Sequence, residues 1–345
     1  MLQPSPPRKR RGRLARTGAA SLVLVAVAGY LAVQYVTGGA GAPGCRVTGG
    51  EGGRASYEFT PEQAVNAATI TAVGTARGLP ERAVTIALAA ALQESTLRNV
   101  DHGDKDSLGL FQQRPSQGWG RPAEIMDPIY SAGLFYDHLV EVPGYLDLPL
   151  TDAAQRVQRS AFPYAYAQHE PGAELLAAAL TGRSAATLTC DGLFGTARET
   201  GPDAVRAALV RDFGQDVLGT AGADVGAAAS PRPATSPRPA TSSRPATSPR
   251  PATSSRPAAG SDGRTVTLPA TGGTGSGSAE ERGRRGWQLA HWAVANASSL
   301  HIQRVTYAGR EWTAGNTDSR WKPTGTAGAK GAERAAGPVR ITSVS

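Results

Sequence analysis

The residue best placed to do chemistry is Glu94, which lies at the end of a strongly apolar run at 84–92. A carboxyl group at such a helix end is removed from water and faces the negative end of the helix dipole. Both effects raise its pKa, as a general acid working near neutral pH requires. A glutamate alone is weak evidence, because most glutamates at helix ends only cap a surface turn. Its sequence neighbours must therefore decide its role.

A second stretch follows Glu94 and Ser95 after about a dozen residues and reads Ser-Leu-Gly-Leu-Phe-Gln. Glu-Ser followed by Ser-x-Gly-Leu-Phe-Gln is similar to the lytic transglycosylase and goose-type lysozyme superfamily, over about residues 58–180. The resemblance implies a mainly α, lysozyme-like domain with Glu94 as the catalytic acid/base and Ser95 orienting it. It also implies that sugar is contacted by Ser107, Gly109, Leu110, Phe111 and Gln112.

In that superfamily one carboxyl group suffices for the reaction. It protonates the glycosidic oxygen and then deprotonates the muramyl 6-hydroxyl, which attacks the anomeric carbon and gives a 1,6-anhydro product. Asp101, Asp104 and Asp106 lie between the two stretches, and one of them could position a water and give hydrolysis instead. Their spacing does not match an EF-hand loop. No metal or other cofactor is expected.

The third motif of the superfamily, Ala-Tyr-Asn-Ala-Gly, is altered in this chain. The corresponding residues 157–167 offer Tyr164 and Tyr166 but no Asn-Ala-Gly. One of the two tyrosines is expected beside Glu94, and the sequence does not distinguish them. Trp119 lies in a glycine-flanked turn, where its indole could stack on a sugar face or cover the core.

Helices must position these residues. Thr60-Pro61 is typical of a helix start. Leu79-Pro80 begins a second helix that is apolar on nearly all sides, as a buried helix is. Further helical patterns run at about 129–141, 151–160 and 171–180, and no convincing strand precedes residue 200. The sequence predicts a lysozyme-like or transglycosylase-like domain at 55–220.

The remainder of the chain divides by composition. Gly (42) and Pro (25) concentrate in a stalk at 38–54 and a linker at 221–284. The linker contains a tandem Pro-Arg-Pro-Ala-Thr-Ser hexapeptide at 231–259, which predicts a disordered, polyproline-like spacer able to carry a terminal module through a thick cell wall.

A small C-terminal α/β module is predicted at 285–345, with a hairpin turning at Ala308-Gly309 and a last strand near 339–344. It resembles the C-terminal modules of actinobacterial wall proteins related to zinc D-Ala-D-Ala peptidases. No histidine follows His301, so the module is expected to be metal-free. His291 and His301 are expected to be packing or surface residues.

The N-terminal residues have the pattern of a membrane-targeting segment. Residues 1–16 carry six basic groups and no acid, and the stretch at 19–36 is uncharged and apolar. A cytoplasmic tail at 1–18 and a membrane anchor at 19–37 are predicted, with the C-terminal part outside a cell membrane crossed once. The alternative is a cleaved signal peptide and a secreted protein; Pro43, after a possible cleavage site, disfavours it.

Export fits the cysteine content. In an oxidising compartment, the pair Cys45 and Cys190 predicts a disulfide. Closing a loop of this length would restrict the unfolded chain by roughly 4–5 kcal/mol in the entropy model.

These features favour a peptidoglycan-active lytic transglycosylase or muramidase. The alternative is a non-catalytic peptidoglycan-binding or scaffold protein with a degenerate lysozyme-like cleft, whose partners are cell-wall assembly or division proteins. The net charge of +8 lies mainly in the N-terminal tail and the linker. Nucleic acid is therefore not an expected partner.

Overall fold

The computed structural model describes residues 44–50, 54–191, 200–218, 263–270, 278–315, 320–324 and 337–344. The predicted tail at 1–18, the predicted anchor at 19–37 and the hexapeptide repeats at 231–259 lie outside these residues. Within the described residues, no helix is both long enough and apolar enough to cross a membrane.

The chain is helix-rich as far as residue 213, as the sequence predicts. The helices are packed around one apolar core, and three short strands accompany them. In chain order the elements are β1 (Cys45–Thr48), β2 (Ser56–Phe59), α1 (Pro61–Ala76), α2 (Glu81–Ser95), α3 (Pro122–Ile125), α4 (Pro128–Val140), α5 (Leu150–Gln158), α6 (Glu170–Leu180), β3 (Leu188–Cys190) and α7 (Pro202–Phe213), with 3-10 turns at Pro115–Gln117 and Ala165–His169.

Helix α2 is the central helix of this part. It packs against α1, α4, α5 and α6, and its residues from Ala83 to Leu92 are all buried, because they are apolar on every side. Helix α1 begins with a capping box in which Thr60 and Gln63 satisfy each other's backbone N–H groups. The core around α2 fixes the direction in which its last turn points.

The expectation of no strand before residue 200 is wrong. Strands β1, β2 and β3 form an antiparallel sheet in the order β2-β1-β3. Each has only three or four residues, too few for an alternating pattern to show in the sequence. Cys45 lies opposite Cys190 in the register, and the predicted disulfide between them is confirmed. Strand β1 also lies within the predicted stalk at 38–54.

The C-terminal part is a five-stranded antiparallel sheet, in the order β4-β8-β5-β6-β7, with a helix packed against it. The expected hairpin is present, because β5 and β6 pair around Ala308 and Gly309. The elements are β4 (Thr265–Leu268), α8 (Ala279–Ala295), α9 (Ala297–Leu300), β5 (Ile302–Tyr307), β6 (Arg310–Thr313), β7 (Lys322–Pro323) and β8 (Val339–Ser343). Strand β4 and the start of α8 thus lie inside the linker predicted at 221–284.

The helical part and the C-terminal sheet share one core, and residues Cys45–Ser345 form a single compact unit. Helix α8 contacts α1, α6 and β3 on one side and β5 and β8 on the other. The indole of Trp292 donates to buried Asp212 at 2.8 Å, and those of Trp312 and Trp321 donate to carbonyls of β3. Among the described residues, the helical part and the C-terminal sheet thus pack directly against each other.

Candidate active site

Glu94 lies in the last turn of α2, immediately before a sharp reversal of the chain. Thr96 and Leu97 both have left-handed backbones, with φ of 56° and 58°. Two side chains of α1 hold this strained turn, since Gln63 donates to the Thr96 carbonyl and Asn66 to the Leu97 carbonyl, each at 2.8 Å. The reversal ends α2 at the edge of an open cleft and leaves the Glu94 side chain within it.

The Glu94 carboxyl group is partly buried and has two hydrogen-bonding neighbours. Burial raises its pKa above that of an ordinary glutamate, because the charged form loses contact with water. The Tyr166 hydroxyl donates to Oε1 at 2.6 Å, and the amide of Gln158 faces the same carboxyl. Both contacts lower the pKa, but burial outweighs them. Glu94 thus keeps its proton to a higher pH than an ordinary glutamate does. Once the proton has left, the Tyr166 hydroxyl stabilises the carboxylate.

Of the two candidate tyrosines, the structure brings Tyr166 to Glu94. Tyr166 has no exposed surface, whereas Tyr164 is 81% exposed. Burial, followed by the neighbouring Glu94, raises the Tyr166 pKa far above its usual range, so its hydroxyl stays a proton donor. The side chains of Gln168 and His169 both bond to Gln93 Oε1 at 3.0 Å, which ties the 3-10 turn Ala165–His169 to α2.

The predicted sugar-binding turn at 109–112 is attached to the same helix end. Ser95 Oγ donates to the Leu110 carbonyl at 2.7 Å, and Gln158 Nε2 donates to the Phe111 carbonyl at 2.8 Å. Gly109 has a φ of +76°, and a Cβ there would lie 2.8 Å from the Ile125 carbonyl oxygen. In the described part of the chain, the side-chain bonds of Ser95 go to backbone carbonyls. Ser95 therefore orders the turn, although the sequence suggested that it orients Glu94.

The cleft beside Glu94 has a volume of about 910 Å³. Trp119 is partly buried on one side, where it packs against the core and meets the His138 ring edge-on at 4.6 Å, and it also faces the cleft. Leu110 is fully buried in the core. Besides Glu94, the predicted site residues that line the cleft are Ser107, Phe111, Gln112 and Trp119; those that do not are Ser95, Gly109, Leu110, Tyr164 and Tyr166.

The three aspartates between the motifs have different environments. Asp106 accepts from the Ser116 backbone N–H at 2.8 Å and from Arg114 Nε at 2.7 Å, and these bonds hold its pKa well below the usual range. Asp101 pairs with exposed His102. Asp104 lines the cleft. Among the three, Asp104 is thus the candidate for positioning a water, while Asp106 orders the loop.

Sequence reasoning missed two residues of the cleft. Gln158 ends α5 and connects the turn at 109–112 with the carboxyl of Glu94. Phe162 lines the cleft and is 71% exposed, which is unusual for a phenylalanine. Both belong to the altered third motif at 157–167. An amide close to the tyrosines in that segment was the available signal for Gln158.

The site is a cleft that contains a partly desolvated carboxyl group, Glu94, suited to acid/base chemistry. Among the described residues, no group of three or more His, Cys, Asp or Glu side chains is arranged to hold a metal ion. A protein family described as VldE, C-terminal domain, matches residues 261–334. This match covers the C-terminal part from β4 to β7, with α8 and α9, and ends before β8. It does not reach the cleft. No curated protein matches the chain.

Proposed function

We propose that this protein is a peptidoglycan-active enzyme of the lytic transglycosylase type, with a lysozyme-like helical domain and Glu94 as its general acid/base. The observation that carries the proposal is the contact between Tyr166 and Glu94 at 2.6 Å, at the edge of a large open cleft. An acid with a raised pKa and a fixed donor to its conjugate base is what proton transfer to and from one carboxyl requires.

The chemistry follows from that geometry. Protonated Glu94 donates its proton to the glycosidic oxygen as the bond from that oxygen to the anomeric carbon breaks. The resulting carboxylate is stabilised by the Tyr166 hydroxyl and then takes the proton of the muramyl 6-hydroxyl. That oxygen attacks the anomeric carbon, which closes the 1,6-anhydro ring and returns Glu94 to its acid form.

Hydrolysis is the competing reaction in the same cleft. It needs a water on the opposite face of the sugar, and Asp104 is the candidate to hold that water. The two reactions share Glu94 as the acid and differ in the product, because hydrolysis adds one water.

A non-catalytic function is the second candidate, and the altered motif at 157–167 favours it. In this case the cleft binds the glycan strand, and the protein acts as a peptidoglycan-binding scaffold for cell-wall assembly or division proteins. For either function we propose a location outside the cell membrane. The disulfide between Cys45 and Cys190 and the apolar N-terminal stretch both support export.

The test is to incubate the full-length protein with purified peptidoglycan and to identify the soluble products by mass spectrometry. We expect 1,6-anhydromuropeptides, and we expect Glu94→Gln to lower their release at least about 100-fold. Glu62→Gln is the matched control, since Glu62 is exposed in the first turn of α1 and does not line the cleft. Binding to peptidoglycan without any soluble product would support the scaffold and refute the enzyme.

A further inference from the structure

The cleft contains exposed basic side chains that the proposed proton transfers do not use. Lys105, Arg156 and Arg159 all line it, and none of them forms an ion pair within the described part of the chain. Elsewhere in the helical part, some exposed arginines have acidic partners, as Arg77 has Asp137 and Arg183 has Glu81.

A fourth basic residue of the cleft shows the contrast. Arg114 also lines it, but its guanidinium is neutralised by Asp106 at 2.7 Å. Besides Glu94, two acids share the cleft lining, Asp104 and Glu141, and Glu141 lies 3.8 Å from the ring nitrogen of His138. In the described lining of the cleft, the two guanidinium groups without an ion pair both lie at the end of α5.

The backbone holds these two arginines in a defined position. Arg156 lies in the last turn of α5, and Arg159 follows its final residue with a left-handed φ of 51°. The Arg159 N–H bonds to the Gln155 carbonyl at 2.8 Å. Between them, Gln158 is fixed to the Phe111 carbonyl beside Glu94. The arginines thus belong to the same end of α5 as Gln158, whose side chain reaches the turn beside Glu94.

We propose that Arg156 and Arg159, with Lys105 from a second segment of the cleft, form a subsite for a carboxylate carried by the glycan strand. Guanidinium groups bind carboxylates through paired N–H donors whose planar geometry matches the two carboxylate oxygens. This proposal rests on the proposed function and adds to it which residues recognise a carboxylate of the substrate. On a muramyl residue the carboxylate belongs either to the lactyl group or to the attached peptide.

Binding of defined fragments to the full-length protein tests the subsite. Glu94→Gln is used as the background so that the fragments are not consumed. The probes are disaccharide-peptide oligomers with free carboxylates, the same oligomers with every carboxylate converted to a methylamide, and oligomers from which the peptides have been removed. Affinity is measured by calorimetry at low and high salt.

We expect the methylamide probe to bind about tenfold more weakly than the free acid, with less dependence on salt. Arg156→Gln with Arg159→Gln should remove this difference. Arg98→Gln is the matched control, because Arg98 is exposed, has no ion pair among the described residues and lies outside the cleft. The peptide-free probe identifies the source: retained affinity assigns the lactyl carboxylate, and lost affinity assigns the peptide.

Two results would overturn the subsite. Equal affinity for the free and methylamide probes would refute it while leaving glycan binding intact. A loss caused equally by Arg98→Gln would show that general surface charge, and not the cleft, attracts the fragments. No binding of any fragment would refute the subsite together with the proposed function.

Discussion

The buried His291 makes the stability of this protein depend on pH, and the effect can be worked out from two hydrogen bonds. The ring has no exposed surface. Its Nδ1 lies 2.7 Å from the Ala179 carbonyl oxygen, so this nitrogen must carry the proton. Its Nε2 accepts the backbone N–H of Thr187 at 3.3 Å, so this nitrogen must be bare. A second proton, on Nε2, would face the N–H of Thr187, and the charge it brings would lie in the buried core.

Burial lowers the His291 pKa from the ordinary 6.5 to about 4. The unfolded chain therefore binds a proton between these pH values while the folded protein does not, and stability falls as the pH falls through 6.5 toward 4. With about 1.4 kcal/mol for each pH unit, the contribution of His291 should decline by about 2.5 kcal/mol between pH 7.5 and 4.5.

The assay is urea unfolding of the full-length protein at several pH values, compared with His291→Gln. The substitution is expected to destabilise the fold at pH 7.5, and the informative quantity is how its cost changes with pH. That cost should shrink by about 2.5 kcal/mol at pH 4.5, because the variant has no imidazole to protonate. His102→Gln is the matched control for the loss of a histidine, since His102 is exposed and lies outside the core.

A cost for His291→Gln that is the same at both pH values would refute the reasoning. If the variant does not fold, an NMR titration of the wild-type imidazole decides the matter. His291 should remain neutral at pH 5.5, and an ordinary titration near 6.5 would show that the ring is not held as a neutral acceptor.

Three further outcomes are expected. Tyr166→Phe should leave the fold intact and lower turnover about tenfold or more. It should also move the alkaline limb of the pH–rate profile to higher pH, because the Tyr166 hydrogen bond lowers the Glu94 pKa and its removal raises that pKa. An unchanged profile would argue against this contact. Gly109→Ala should reduce the unfolding free energy by at least about 1–2 kcal/mol, since its φ is +76°. Gly50→Ala, at a position with open space around it, serves as the control, and equal effects would contradict the prediction. Replacing Cys45 and Cys190 by serine should lower stability by about 2–5 kcal/mol relative to the oxidised wild type, and reduced wild type should show a similar loss; an unfolding midpoint of the variant equal to that of the oxidised wild type would show that the disulfide contributes little.

The helical elements could be predicted because their signals are local. The start of α1 is visible in Thr60-Pro61, and the burial of α2 is visible in its unbroken apolar sequence. Strands β1, β2 and β3 could not be found in this way. Pairing of β1 with β3 depends on contacts between residues about 145 positions apart, which no short window contains.

The site divides in the same manner. Glu94 is predictable because helix, burial and the following Ser95 are neighbours in sequence. Which tyrosine meets Glu94 depends on how the turn Ala165–His169 packs against α2. That packing is fixed by hydrogen bonds to Gln93, which is distant from the turn in sequence. Strand β4 was hidden because the composition of its surroundings is that of a linker, and only its partner β8 shows that it belongs to a sheet.

The segment between Leu218 and Gly263 leaves one folded unit and rejoins it, where α7 contacts β4. A protease that cuts this segment would release nothing, because the buried contacts of His291 and Trp292 hold both pieces together.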